Sequence, residues 1–467
     1  MPVKFFVQNF GCRATQADGA AIERSLARCG LLAVTSATEA ELVVLNTCTV
    51  TAAADADARA AIRRIHRENP GCRILVTGCY AQRAPEEIAA LEGVSAVIGN
   101  SHKHQIADLV APASRDFFPL RALTPQAASG AEAPYSPVLV GDIFTHTDFA
   151  HTDFLAAPVF EVTAEVAAAA GSARTRPNLK VQDGCDNRCS FCIIPSVRGH
   201  SRSLSLADVL REVEALVRAG YREMVVSGIN LGRWGHDLTP QGRFEELLHT
   251  ILECTAIEKI RISSVEPMDW SGELIDLVTS HPRIARHAHV PLQSGSDRVL
   301  RMMHRKYRPW HYAERVSKIR ERSPMAAIGA DVMVGFPGET DELFEENRQF
   351  IASLPFTYLH IFTFSARPST PAATMPNQVP PQVARERHKI LRDLIAEKNH
   401  AFRQSFVGTR LNGITLSTLS EDVGCTEALT DNFLKLRLNG THPTNQWIEA
   451  KIAALTKDGL QGEAIPF

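Results

Sequence analysis

Two blocks of short β-branched runs alternating with helical patterns constrain this chain more than any other feature. In the first block, VKFFVQNF precedes a helical pattern near Ala20 to Cys29, then come ELVVLNTC, an Ala- and Arg-rich helix to about Glu68, and RILVTGC. Such alternation marks a small parallel α/β sheet. In the second block, LKVQDGC, REMVVSG, IEKIRISS, ARHAHVPL, AIGADVMVG and FTYLHIFTF are separated mostly by helical stretches such as LADVLREVEALVRAG. Six strand-helix units curl into a partial or complete parallel barrel, whose functional loops sit at the carboxyl ends of the strands. The pattern thins after Gly99; PQAASGAEAPYSP (Pro125 to Pro137) reads as a loop or linker. Two copies of HTDF between Thr145 and Phe154 are too few for a repeat architecture. A Pro-rich break (Pro368 to Pro381), a charged helix RERHKILRDLIAEKN and short strands such as RLNGITLS and NFLKLRLNG complete the chain, the last of these compatible with a small β-barrel. The expected domains are 1–112 (small parallel α/β), 113–176 (connecting segment), 177–404 (barrel) and 405–467 (small β-barrel).

The 467 residues exclude a single small module, and 45% apolar with 22% charged residues exclude global disorder. Fifty Lys and Arg against 52 Asp and Glu leave a formal charge of -2, so attraction to nucleic acid must come from a local patch. The N-terminus lacks a secretory pattern and no 18-residue apolar stretch occurs, so the expected address is the cytoplasm, with no membrane partner. There the ten cysteines are read first as ligands, catalysts or packing thiols rather than disulfides.

Their spacing decides between those roles. VQDGCDNRCSFCIIPSVRG places Cys185, Cys189 and Cys192 at Cys-x3-Cys-x2-Cys, just beyond a predicted strand. Three thiolates suit a [4Fe-4S] cluster with one iron left open, since a cluster held wholly by protein uses four. The open iron can chelate a substrate while the cluster delivers an electron. Structural zinc would need a fourth ligand, and no His or Cys lies at a suitable local offset. The segment resembles the signature of the radical S-adenosylmethionine superfamily, including Phe191 before the last cysteine. That resemblance implies one cluster, bound S-adenosyl-L-methionine, and Phe191 beside the adenine; packing in the core is the alternative for this side chain.

Cys12, Cys48 and Cys79 each follow a different predicted strand, VKFFVQNF, ELVVLNT and RILVTG. In an open parallel sheet those ends line one crevice, so a second three-thiolate site is geometrically plausible, with buried packing thiols as the alternative. FGCRATQADG, NTCTVTAAADADAR and TGCYAQ resemble the three cysteine blocks of the methylthiotransferase family, and the domain order is that family's: cluster domain, radical domain, TRAM domain. The resemblance implies a second [4Fe-4S] cluster on Cys12, Cys48 and Cys79 that supplies sulfur. Cys185, Cys189 and Cys192 would then hold the cluster that generates a 5′-deoxyadenosyl radical, and a second S-adenosyl-L-methionine would give the methyl group. Thr15 departs from the Asn often found there. Cys29, Cys72, Cys254 and Cys425 have no partners at ligand spacing and read as packing thiols.

Further motifs fall where barrel active-site loops belong: SGINLGRWG after the second strand, SSVEP after the third, VPLQSGS after the fourth and DVMVGFPGET after the fifth. Gly228 allows close backbone approach, and Glu266, Gln293 and Asp331 offer hydrogen-bond partners to a cofactor. In SVRGHSRS, Arg198 and Arg202 could bind a substrate carboxylate or phosphate; pairing with a nearby acid is the structural alternative.

Within the family, GCDNRCSFCIIPSVRGHSRS and SGINLGRWGHDL resemble the branch that acts on N6-threonylcarbamoyladenosine next to the tRNA anticodon, and the GQNV-like run of the isopentenyladenosine branch is absent. That implies the tRNA anticodon stem-loop, a low-potential electron donor and a sulfur source as partners of a monomeric enzyme. The same chemistry on isopentenyladenosine or a ribosomal-protein aspartate is the nearest alternative. A non-enzymatic RNA-binding protein with structural metal sites is the alternative of another class. Between Arg385 and Arg403, six basic residues against three acids give +3, which could meet phosphate. From Phe406 to Phe467, five basic against seven acidic residues give -2, an unexpected balance for a TRAM-like domain that grips tRNA.

Overall fold

The computed structural model describes residues 2–110, 136–145, 175–419 and 424–465. The HTDF segment and most of the expected connecting region lie outside them.

The first unit is a six-stranded, wholly parallel sheet of order β2-β1-β3-β4-β5-β6, built from Lys4–Asn9, Leu32–Ala33, Leu42–Thr47, Arg73–Gly78, Val94–Gly99 and Val138–Leu139. Strand β3 is buried at every position, as expected of a central parallel strand covered on both faces. Helix Arg13–Arg28 covers one face with Ile22 and Leu26; helix Ala52–Glu68 covers the other with Ala58, Ile62 and Ile65. Sequence had left β6 inside the connecting segment. It is two residues long, too short to carry a periodicity, yet it pairs with β5 through Val97 and Ile98.

The second unit carries six parallel strands, β7 (Asn178–Asp183), β9 (Glu223–Gly228), β10 (Lys259–Ile262), β11 (His287–His289), β12 (Ala327–Val334) and β13 (Tyr358–Thr363), with a short antiparallel β8 (Arg202–Ser203) beside β7. Single parallel bridges, Ile260 to Ile284 and Ser264 to His289, join the β7-β9-β10 group to β11-β12-β13. The result is a partial (β/α)6 barrel around the largest apolar core, which runs from Leu179 to Ile395.

Strands β14 to β18 (Arg410–Leu419, Cys425–Thr430, Lys435–Asn439, Trp447–Leu455, Leu460–Ala464) close a small barrel in the order β14-β15-β16-β18-β17. Its β15-β16 turn inserts against the amino-terminal ends of the large barrel's strands. Phe433 packs 4.4 Å from His287 and 5.5 Å from Tyr358 between ring centres. Arg261, fully buried, donates to the carbonyls of Thr430 and Asp431 at 3.2 Å and to Glu223 at 2.8 Å. Replacing Arg261 by Met leaves Glu223 buried against only the more distant Arg176, at 3.5 Å. The expected loss is about 3 kcal/mol, read as a lower urea midpoint.

Candidate active site

Three cysteines converge at the carboxyl edge of the first sheet because their strands are neighbours. Cys12 lies three residues past β1, while Cys48 and Cys79 directly follow β3 and β4, the strands next to β1 in order. This is the switch point of the sheet, where a doubly wound fold opens a crevice. Two glycines make the approach possible. Gly11, at φ +95°, passes so close to Cys48 that an added Cβ would lie 2.5 Å from that residue's Cβ and 2.7 Å from its Sγ. Gly78, at φ +97°, would place a Cβ 2.4 Å from the Thr47 carbonyl oxygen. Only glycine tolerates both the left-handed backbone and that contact. Cys12 Sγ lies 3.3 Å from the Thr15 hydroxyl, and Asn100 donates to Cys79 Sγ at 3.5 Å. Burial first, and then the neighbouring Cys79, push the Cys48 thiol up to about 12.

The second trio sits just beyond β7. The Asn187 backbone donates to Cys185 Sγ at 3.4 Å, and Arg305 donates to Cys189 Sγ at 3.1 Å. Burial and then Cys189 push Cys192 up to about 12; burial likewise pushes Cys185 up to about 11. Burial thus disfavours the thiolates of Cys48, Cys185 and Cys192, and bound iron is the kind of positive charge that offsets this. A single zinc ion at about 2.3 Å from each sulfur would draw them to about 3.8 Å apart.

Helix Ile194–Arg198 stands between the two sites. Ile193 and Val197 pack on Cys79, and Asn100 donates to the Val197 carbonyl at 2.8 Å. Arg198 differs from the sequence expectation of a side chain open to substrate. It is 1% exposed, donates to both oxygens of Asp183 at 2.9 and 3.1 Å, and reaches Asp18 in the first unit at 2.9 Å. Its fork is spent on the chain's own carboxylates. Lys180, paired with both acids, and Lys103, 2.9 Å from Asp18, complete the buried group. Arg202 donates to the Arg198 carbonyl at 2.8 Å. Position along the sequence gave no signal for Asp18 or Lys103, whose partners are 80 or more residues away, nor for the reach of Lys180 to Asp18 across 162 positions; only its pairing with Asp183, three residues on, is local.

Among the other expected residues, Phe191 meets Phe336 edge-on at 6.5 Å within a small apolar cluster. Gly228 closes β9 against Gln182, whose Oε1 would lie 3.0 Å from an added Cβ. Glu266 pairs with Arg305 and lies within electrostatic reach of Cys185. Gln293, at φ +62°, is stitched to β12 through its backbone. Asp331 and His289 approach to 3.5 Å, with His360 beside them and Ser264 bonded to His289 Nδ1 at 2.7 Å. Burial, then His360, then Arg13, hold His289 down at about 3, so a cation here would meet positive charge from Arg13. A polar cavity of about 230 Å³ opens beside Cys185, lined by Asp186, Asn187, Ser201, Asn230, Arg233, His236, Asp237 and Lys306. It joins the radical motif to the loop after β9.

Two expectations are measurable. Asp18→Asn leaves three cations facing one carboxylate; we expect a loss of about 3 kcal/mol and faster iodoacetamide labelling of Cys79 as the units part. Burial and then Glu266 push Asp331 up to about 7, from an ordinary 3.8. The unfolded carboxyl ionises first, so wild-type stability from this group falls as pH rises from about 4 to 7. Asp331→Asn retains what is lost, so its gain over wild type should grow from pH 5 and level off at about 2 kcal/mol above pH 7 in denaturant titrations, the partial exposure of the side chain limiting the gain.

Comparison with known proteins agrees with this architecture. Residues 179–351 match the radical SAM superfamily, and residues 4–99 match uncharacterized protein family UPF0004. The threonylcarbamoyladenosine tRNA methylthiotransferase MtaB of Aquifex aeolicus (strain VF5) is 33% identical over 439 residues, covering 94% of this chain and 97% of the relative. That of Bacillus subtilis (strain 168) is 34% identical, covering 92% and 89%. A tRNA-2-methylthio-N(6)-dimethylallyladenosine synthase of Aquifex aeolicus is 29% identical, covering 97% and 93%. The radical S-adenosylmethionine methyltransferase TsrM from Kitasatospora setae shares the fold at a TM-score of 0.57 and 16% identity, over 80% of this chain and 74% of that one. No helix among the described residues is long and apolar enough to cross a membrane. By its similarity to these relatives over nearly its whole length, the chain belongs to the radical S-adenosylmethionine tRNA methylthiotransferase family, whose superfamily chemistry uses S-adenosylmethionine and a [4Fe-4S] cluster.

Proposed function

We propose that this enzyme converts N6-threonylcarbamoyladenosine beside the tRNA anticodon to its 2-methylthio derivative, with Cys185, Cys189 and Cys192 holding one [4Fe-4S] cluster and Cys12, Cys48 and Cys79 a second. The observation that carries this reading is the placement of two cysteine trios on either side of one short helix, Ile194–Arg198. The names of the more similar relatives support the threonylcarbamoyl substrate. Bound, the two clusters and S-adenosylmethionine would supply hydrogen abstraction from carbon and delivery of a methylated sulfur.

The chain's own residues do the rest. Ile193, Ile194 and Val197 form an apolar wall against Cys79 that shields that thiol from water. Arg367, on the segment after β13, donates to Thr49 at 2.8 Å and Asp55 at 2.5 Å, tying the barrel's last loop to the turn after Cys48. With Arg198 committed inside, recognition of the threonyl carboxylate falls to cations that still face solvent. Lys306, exposed on the cavity beside Asn187, is so placed, and Arg233 lines the same cavity with its Nε paired to Asp269 at 3.1 Å. The reading also requires a low-potential electron donor and a source of sulfur.

Nucleoside mass spectrometry of tRNA from a deletion strain tests the substrate: 2-methylthio-N6-threonylcarbamoyladenosine should vanish and its unmethylthiolated precursor accumulate. Disappearance of the isopentenyl product instead would move the assignment to that substrate. Anaerobic reconstitution should give about eight irons per chain, falling to about four in Cys48→Ala. That variant should still form 5′-deoxyadenosine while making no methylthio product. Zinc in place of iron would support the purely structural alternative.

A further inference from the structure

Arg305 donates a hydrogen bond to a cysteine of the radical motif. It follows Met302–His304, where His304 turns the chain at φ +56° after helix Asp297–Met302. Every edge of its guanidinium is assigned. One Nη donates to Cys189 Sγ at 3.1 Å and the other to Glu266, while Nε donates to the Tyr307 hydroxyl at 3.3 Å, with the Tyr307 ring centre 4.9 Å away. Tyr307 is itself fixed by donating to the Leu292 carbonyl at 2.6 Å, and its side chain is buried. Arg305 is 7% exposed, so water does not screen the contact. A side chain that only joined Glu266 to Tyr307 would have no need to aim a third donor at sulfur.

We propose that Arg305 is a positioning residue for the radical-motif cluster, which sets that cluster's reduction potential by donating to Cys189 Sγ, with Glu266 dividing the guanidinium charge between carboxylate and thiolate. This deepens the proposed function and rests on Cys185, Cys189 and Cys192 being cluster ligands. The sign follows from charge alone. Reduction adds an electron to an anionic thiolate-bound cluster, and a fixed N–H donor with positive charge stabilises the reduced form more than the oxidised one. Arg305 therefore raises the potential and makes the electron easier to accept. A nearby carboxylate works against it, so Glu266 lowers the potential both directly and by drawing on the same guanidinium.

The test is an anaerobic redox titration of the reconstituted full-length protein followed by electron paramagnetic resonance. The wave missing in Cys192→Ala is assigned to the radical-motif cluster, and if no wave is missing the cluster assignment fails, independently of Arg305. With the assignment made, Arg305→Met should lower that wave so that the reduced fraction at a fixed potential falls about tenfold, the worth of one charge-assisted hydrogen bond. The second wave should not move. Arg305→Lys, which keeps the charge but has no planar fork to serve both partners, should recover part of the shift. Glu266→Gln should move the same wave upward, and should do so less in the Arg305→Met background. An unchanged wave in Arg305→Met, an equal shift of both waves, or a full Glu266→Gln effect without Arg305 would each overturn the proposal. If Arg305→Met fails to fold, the Lys variant and Glu266→Gln decide it by the same signs.

Discussion

A buried charge group at the seam of two units fixes everything that follows. Asp18 comes from the first sheet's opening helix and Asp183 from the end of β7, and Lys103, Lys180 and Arg198 fill the space between them. All five are nearly inaccessible to solvent. Taking such charges from water costs several kcal/mol each unless every one is paired, so the group is satisfied in one relative arrangement of the units and penalised in others. Three cations against two carboxylates leave an excess of one positive charge. It leans toward the first cysteine trio: Arg198 is felt by Cys48 and is itself influenced by Cys79 and Cys12. Arg198 thus serves the seam and the trio together, which explains why an arginine so near the radical motif is hidden from substrate.

The seam determines the chemistry through distance. Cys79 belongs to one unit and Cys185 to the other, so the seam sets the distance between the two trios. Arg367 with Thr49 and Asp55 provides a second tie on the far side of Cys48. Two polar ties flank the apolar wall that packs on Cys79, while the cavity beside Asn187 opens to solvent. Rigid placement of this kind is what a reaction on an unactivated carbon needs, since a misplacement of about 1 Å can cost two orders of magnitude in rate.

How much of this was legible in the sequence depends on the range of each signal. Strand-helix alternation is local, so the parallel sheet, the partial barrel and the small closed barrel could be read directly, and so could the three cysteines at strand ends. The six cysteines stand out because thiols are rare and closely spaced or placed after strands. Arg198 and Arg202 were visible as residues, but their partners were not. Asp18 lies 180 positions from Arg198 and shares no motif with it. The ties of Arg305 to Cys189 and Glu266 are similarly remote, at 116 and 39 positions. Strand β6 was missed because two residues cannot show a period of two.

Charge counted along the chain misled for a related reason: a count does not know which side chains face water. Helix Pro381–Gln404 carries the whole of the +3 that could meet phosphate. Yet Arg387 is buried against Glu339 and Asp341, Arg403 donates to the carbonyls of Thr456 and Gly459, and Lys398 donates to that of Ala352. The cations left on the surface, Arg385, Lys389 and Arg392, stand among the exposed Glu386, Asp393 and Glu397. The excess is consumed inside the protein. The small barrel shows the converse. Asp431, one of its seven acids, pairs with Lys259 at 3.2 Å and Arg286 at 3.6 Å on the large barrel. Part of its negative balance thus faces protein rather than solvent. The same domain that plugs the amino-terminal ends of the strands with Phe433 is thus held there by charge as well as by ring packing.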